Sequence, residues 1–171
     1  MRLKGMVMEM LRRGDRQGLE KLVAEQPRAV GALQGRLWDV DPEIRDRAAQ
    51  AIGTVAATHP ELGTELLRRA MWALNDESAT NGAPVLPAIG EIGANRPEIV
   101  APFIGPMTAM LWDDGLRPGI LRALCRIAEA APELIEEVHD RLEVYENKGD
   151  SVQRALIGRL LKGSVGGVNG A

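Results

Sequence analysis

Residues 48–62 read Ala-Ala-Gln-Ala-Ile-Gly-Thr-Val-Ala-Ala-Thr-His-Pro-Glu-Leu, and the chain returns to this pattern twice more. Residues 85–99 read Val-Leu-Pro-Ala-Ile-Gly-Glu-Ile-Gly-Ala-Asn-Arg-Pro-Glu-Ile, and residues 120–134 read Ile-Leu-Arg-Ala-Leu-Cys-Arg-Ile-Ala-Glu-Ala-Ala-Pro-Glu-Leu. Ala51-Ile52-Gly53 thus recurs 37 residues later as Ala88-Ile89-Gly90. A period near 35 residues, with apolar side chains three and four apart inside it, predicts helix pairs laid side by side.

Four prolines mark the units. Pro27, Pro60, Pro97 and Pro132 lie 33, 37 and 35 residues apart, each followed by a charged residue and then an apolar one. Proline suits the first helical position, where its missing N–H had no partner, and an acidic neighbour suits the helix dipole. Each proline is therefore expected to begin the first helix of a pair. A second set of markers closes those helices: Leu37-Trp38-Asp39, Leu74-Asn75-Asp76, Leu111-Trp112-Asp113 and the altered Val144-Tyr145-Glu146-Asn147. Asp and Asn there read as turns that also cap the next helix. Leu62, Leu66, Leu67, Ala70, Met71 and Leu74 form one buried stripe on a first helix. The second helices carry Ile44, Ala48, Ile52 and Val55, then Ile89 and Ile92, then Ile120, Leu124 and Ile127, and finally Val152, Leu156 and Leu160.

Composition agrees. The 171 residues are 45% hydrophobic but only 3% aromatic, a mix dominated by small and aliphatic side chains that let helices approach closely. No alternating β-branched run appears, so the fold class is all-α. Residues 1–26 are expected to form N-terminal capping helices split at Gly14-Asp15, residues 27–163 the repeat array, and residues 164–171 a flexible Gly-rich tail. A net charge of −3 argues against a protein that coats nucleic acid, although residues 1–36 alone carry +4. That basic segment reads as a solvated helix face. One cysteine rules out an internal disulfide. No h-region or bilayer-length apolar run is visible, so no membrane partner is expected and a cytoplasmic location is.

The stretch Asp41-Pro42-Glu43-Ile44-Arg45, continued by Ala48-Ala49 and Ala51-Ile52-Gly53, resembles a HEAT-like repeat of the type found in phycobilisome (bilin) lyase subunits. The resemblance covers roughly residues 27–163. It implies a right-handed α-solenoid, an α/α superhelix of about four helix pairs behind an N-terminal cap, whose second helices line a concave face. It also implies an Asp-to-Arg ladder between repeats. The position of Arg45 becomes Gly82, Arg117 and Gly149 in later units, so the ladder is expected to break in the middle. Pro84 and Pro87 fall inside the second helix of the second unit, which is therefore expected to start late or kink.

Chemistry-bearing residues are sparse. His59, His139 and Cys125 are scattered, and no metal-ligand spacing exists, so neither a metal nor a cofactor is expected and the chain reads as a non-enzyme. Cys125 aligns with Gly53 and Gly90, which points to a small packing residue rather than a reactive or bilin-bearing thiol. Trp38, Trp72 and Trp112 read as plugs at the edges of the core ahead of partner anchors. The inner-face candidates are Arg47, Gln50 and Thr54, with Glu91, Arg122, Arg126 and Arg154. Stacked across repeats they would make a mostly basic groove, fit for another protein or an acidic peptide, against the alternative of a solvated face. The uncharged stretch 79–90 would give the groove an apolar middle.

The expected function is a scaffold that binds a partner protein or peptide along the concave face. Two alternatives stand beside it. One is a nucleic-acid-binding protein resembling the HEAT-like DNA-alkylation repair fold, which would set Arg45, Arg47, Arg122, Arg126 and Arg154 on phosphates. The other is a bilin lyase-like subunit, suggested by the resemblance alone. Exposed apolar stripes at the ends of an array leave oligomeric state open.

Overall fold

The second helix of the first clear unit starts where its chemistry says it should. In the computed structural model, which describes residues 2–76 and 82–163, the Asp41 side chain accepts from the Glu43 N–H at 2.9 Å, and Pro42 takes the first turn. The helix runs to Thr58, where His59 bends the chain directly into the next helix at Pro60. A residue before proline is pushed out of the helical region, and His59 sits at φ −129° and ψ 75°. Arg96, before Pro97, repeats the bend at φ −141° and ψ 73°.

The helices in chain order are α1 (Leu3–Arg13), α2 (Arg16–Glu25), α3 (Ala29–Gln34), α4 (Pro42–Thr58), α5 (Pro60–Asn75), α6 (Leu86–Asn95), α7 (Pro97–Thr108), α8 (Arg117–Ala128), α9 (Glu133–Glu136), α10 (His139–Glu143) and α11 (Ser151–Gly163). Short 3-10 turns precede α4 and α6, at Gly35–Trp38 and Ala83–Val85. Among the described residues there is no strand, and the protein is all-α. α4 packs on α6, α6 on α8 and α8 on α11, while α5 packs on α7 and α7 on α9; α2 and α3 lie against α4. One hydrophobic core runs through these contacts.

Gly14, in the left-handed region at φ 68°, ends α1, and Asp15 caps α2 through the Gly18 N–H at 2.8 Å. Pro60 and Pro97 begin α5 and α7. Pro27 stands two residues ahead of α3, and Pro132 caps the one-turn α9. The last first-helix is broken at Val138 into α9 and α10 rather than running unbroken to residue 144. α6 starts late, at Leu86 after a 3-10 turn, as its prolines require. The proposed tail, 164–171, lies outside the described residues.

Two sequence expectations need correction. In α11 the buried residues are Ile157 and Leu160, while Val152 is 52% exposed. The repeat register is therefore Ile52-Gly53-Thr54-Val55, Ile89-Gly90-Glu91-Ile92, Leu124-Cys125-Arg126-Ile127 and Ile157-Gly158-Arg159-Leu160, with Ile157 in the place expected of Leu156 and Leu160 buried as expected. The first and fourth residues of every set are buried. The tryptophans are not core plugs either: Trp72 is 76% and Trp112 70% exposed, and Trp38 is 42% exposed. Leu37 and Leu111 beside them fill the core instead.

The Asp-to-Arg ladder is replaced by a different device. Arg45 and Arg117 hold their own turns, whereas arginines elsewhere reach backbone carbonyls one repeat earlier. Arg47 donates to Leu11 O at 2.9 Å, Arg96 to Ala57 O at 2.6 Å and Arg141 to Gly105 O at 2.6 Å. Leu11 O and Gly105 O also accept from the Gly14 and Ala109 N–H groups, so there the guanidinium adds a charge-assisted bond to the carbonyl's second lone pair.

Candidate functional site

The most distinctive concavity lies across α6 and α8, about 470 Å³ in volume. Small and cyclic residues make its floor: Ala83, Pro87 and Gly90 from one side, Gly115, Pro118, Gly119 and Ala123 from the other. The floor is shallow because the backbones approach closely. A Cβ on Gly90 would lie 3.1 Å from the Cα of Ala123, and one on Gly119 would lie 2.6 Å from Leu86 Cδ1. Late entry of α6, forced by Pro84 and Pro87, leaves the space open at its N-terminal end. Asp46 of α4, Glu91, Arg122 and Arg126 form the rim.

Three of the six sequence candidates meet here, Glu91, Arg122 and Arg126, and two of them neutralise each other. Arg126 Nε stands 2.9 Å from Glu91 Oε1 and its Nη2 3.1 Å from Oε2, a bidentate pair, and Nη1 also donates to Glu129. Hydrogen bonding to Glu91 pushes the Arg126 guanidinium further toward its charged form, with burial opposing and Glu129 reinforcing. Glu91 is only 19% exposed at its side chain, so the pair is a structural clamp between α6 and α8. Arg122 is exposed, and among the described residues its guanidinium has no partner.

Arg47 and Gln50 lie elsewhere, in a cleft of about 300 Å³ between α2 and α4. Arg47 is held by Leu11 O, by Arg12 O at 2.6 Å and by Glu43, and Gln50 accepts from Arg16. Thr54 bonds back to Gln50 O at 3.2 Å. Arg154 is exposed on α11 and lines neither cavity. The structure therefore does not assemble one continuous basic groove: it divides the six residues among three places, and two of the four arginines are spent on the protein's own acceptors. The apolar middle expected from residues 79–90 survives as Ala83, Pro87 and Gly90, with 79–81 outside the described residues.

Sequence reasoning missed Asp46, Pro118 and Gly119 as groove residues. A small-residue match between Pro87 and Gly90 and the Pro118-Gly119 pair was the available signal. Cys125 does occupy the small-residue position, 7% exposed, with its Sγ 3.9 Å from Leu156 O on α11. Burial pushes its thiol up, against the pull of Arg159. Among the described residues no group of three His, Cys, Asp or Glu is placed to hold a metal, and no helix is long and apolar enough to cross a membrane.

Comparison with known proteins adds only architecture. No family model matches the chain, and no curated protein matches it. Among solved structures it is similar to the crystal structure of an engineered protein, a Northeast Structural Genomics Consortium target, at 16% identity over 96% of this chain and 87% of that one, with a TM-score of 0.53. A likeness at that identity concerns the fold alone.

Proposed function

We propose that this chain is a non-enzymatic binding module, a right-handed α-solenoid of HEAT-like helix pairs that holds a segment of another protein in the groove across α6 and α8. The side-by-side packing of α4, α6, α8 and α11 supports the solenoid reading. The observation that carries the binding reading is the small-residue floor beside an uncommitted Arg122. Such a floor admits a bulky apolar side chain, and the guanidinium offers a carboxylate a forked pair of donors. The segment preferred is one carrying an apolar anchor next to an acidic residue.

Nucleic-acid binding draws less support. Of its five arginines, Arg45, Arg47 and Arg126 already bond backbone carbonyls or carboxylates within the protein, leaving Arg122 and Arg154. A bilin subunit would want aromatic walls, and the groove lining contains none.

The test is a pull-down from native extract with wild type and with Arg122→Glu. A specific partner recovered by wild type and lost by the variant is expected. Equal recovery by both would show that the groove is the wrong surface. Affinity for that partner that collapses by orders of magnitude over a few-fold rise in salt would point to nucleic acid instead.

A further inference from the structure

Each second helix meets the next one at the same repeat position. A Cβ on Gly53 would lie 2.9 Å from the Glu91 Cβ of α6, one on Gly90 would lie 3.1 Å from Ala123 of α8, and Cys125 faces Leu156 of α11. Gly158 is the fourth member of this set. It has nothing within 4 Å of its Cβ position. The close-approach site is present on α11, and among the described residues no helix approaches it.

A line of alternating charge runs to the same place. Glu91 of α6 pairs with Arg126 of α8, Arg126 pairs with Glu129, and Glu129 stands 3.8 Å from Arg159 of α11. There the line ends on a guanidinium 66% exposed, held on one side only by a long contact. α11 contains Arg154, Arg159 and Lys162 and no acidic residue, and Val152 on it is 52% exposed. Residues 164–171 bring no acidic side chain either.

We infer that the outward face of α11 is a second docking surface, which takes an acidic amphipathic helix of a partner protein, laid down as one more second helix of the row. Gly158 lets the incoming backbone come close, the exposed Val152 supplies apolar contact, and carboxylates on the incoming helix continue the charge line past Arg159 and Lys162. A second copy of α11 does not meet this requirement. Packed antiparallel about Gly158, it would set Arg154 against Lys162 of the other chain with no carboxylate between them. The surface is separate from the α6–α8 groove and does not depend on it.

Two synthetic amphipathic helices test the inference, each with an Ala and Leu stripe, one flanked by Glu and the other by Lys. Fluorescence anisotropy should show saturable binding of the Glu peptide to the full chain and none of the Lys peptide. In an Arg122→Glu background, which removes the guanidinium of the α6–α8 groove, saturable binding of the Glu peptide should persist, and Gly158→Leu and the Arg159→Glu, Lys162→Glu double variant should each weaken it by about tenfold or more. The space around Gly158 admits the new side chain, so circular dichroism should report an intact fold. Absent binding of the Glu peptide, equal binding of the Lys peptide, or loss of binding with Arg122→Glu would each overturn the proposal. So would a wild-type dimer in sedimentation velocity that Gly158→Leu turns to monomer, since the occupant would then be a second copy.

Discussion

Two kinds of turn carry the chain from a first helix into a second, and the α6–α8 groove lies between one of each. At the turns before α4 and α8 an arginine closes the loop. Arg45 donates to Asp39 O at 2.7 Å and to Val40 O at 3.3 Å; Arg117 donates to Leu111 O at 2.6 Å and to Trp112 O at 3.3 Å. The donors sit at matching places in the repeat, and so do the carbonyls, six and five residues earlier. At the turn before α6 the equivalent residue is Gly82; before α11, in the register that Ile157 sets, it is Asp150, directly preceded by Gly149. Gly82 lets the chain fold onto α5 itself, since a Cβ there would stand 2.8 Å from Ala73 O. Gly149 supplies a left-handed residue at φ 82°. One solution meets the orphaned carbonyls with a long side chain, and the other removes the side chain so that the backbone can bend more tightly. Gly115 of the groove belongs to the first kind of turn and Ala83 to the second, while Pro118, Gly119 and Pro87 lie in the first turns of the helices that follow.

The arginine turn at α8 should be the most costly to break. Arg117 is 6% exposed, pairs with Asp114 at 2.6 Å and lies 5.0 Å from the centre of the Tyr145 ring. Arg117→Ala strands two carbonyls and removes the ring contact, a loss of about 3 kcal/mol readable as a lower urea midpoint. Arg117→Lys should recover little of it, because a single ammonium does not span both carbonyls. The partner captured by the groove should be lost along with the turn.

Gly82→Ala comes next, at about 2 kcal/mol, because the atoms it strikes are backbone and have little freedom to move. If this variant costs nothing in thermal unfolding, the close approach is not what the glycine is for. Gly149→Ala should cost about 1 kcal/mol, the usual penalty for an L side chain in the left-handed region. A loss equal to that of Arg117→Ala would erase the distinction between the two turn types. Arg45→Ala should cost less than about 1 kcal/mol, since Arg45 is half-exposed and water can replace it at the carbonyls.

The smallest effect is a titration. The Asp41 N–H, bonded to Asp39 Oδ1 at 3.1 Å, holds the Asp39 carboxyl below its ordinary value of 3.8, with Arg36 assisting and burial opposing. A depressed carboxyl contributes stability above its ordinary range and loses that contribution as pH falls through the depressed value. Carbon-detected NMR should place the midpoint below 3.8, and Asp41→Pro, which removes the N–H, should return it toward that figure.

Much of the frame was legible because helix signals are local. Asp41-Pro42-Glu43 starts a helix by capping chemistry alone, and Ile44, Ala48, Ile52 and Val55 are buried at the spacing that predicted them. Pro84 and Pro87 told where α6 begins. The last unit misled because Val152 and Leu156 are apolar at a plausible spacing, and only the packing of α11 on α8 and α10 picks Ile157 over Leu156. Trp38, Trp72 and Trp112 misled in the opposite way. Size suggested burial, but the leucine beside two of them already filled the space. The site was legible only in pieces. A list of arginines on one face says nothing about which of them find acceptors at home, and Arg47 and Arg126 find theirs in residues about one repeat away.

Composition and period by themselves determined that this protein is built of paired helices, where those pairs begin, and which positions must be small. These follow from hydrogen bonding and side-chain periodicity within a few turns of chain. Tertiary structure alone decided which small positions are covered and which stay open, and which charges remain unspent. Gly53, Gly90 and Gly158 look alike in the sequence. They differ because a neighbouring helix lies against the first two and, among the described residues, none lies against the third. Helix-on-helix contact is a property of distance in space, and residues some 35 positions apart carry no local mark of it.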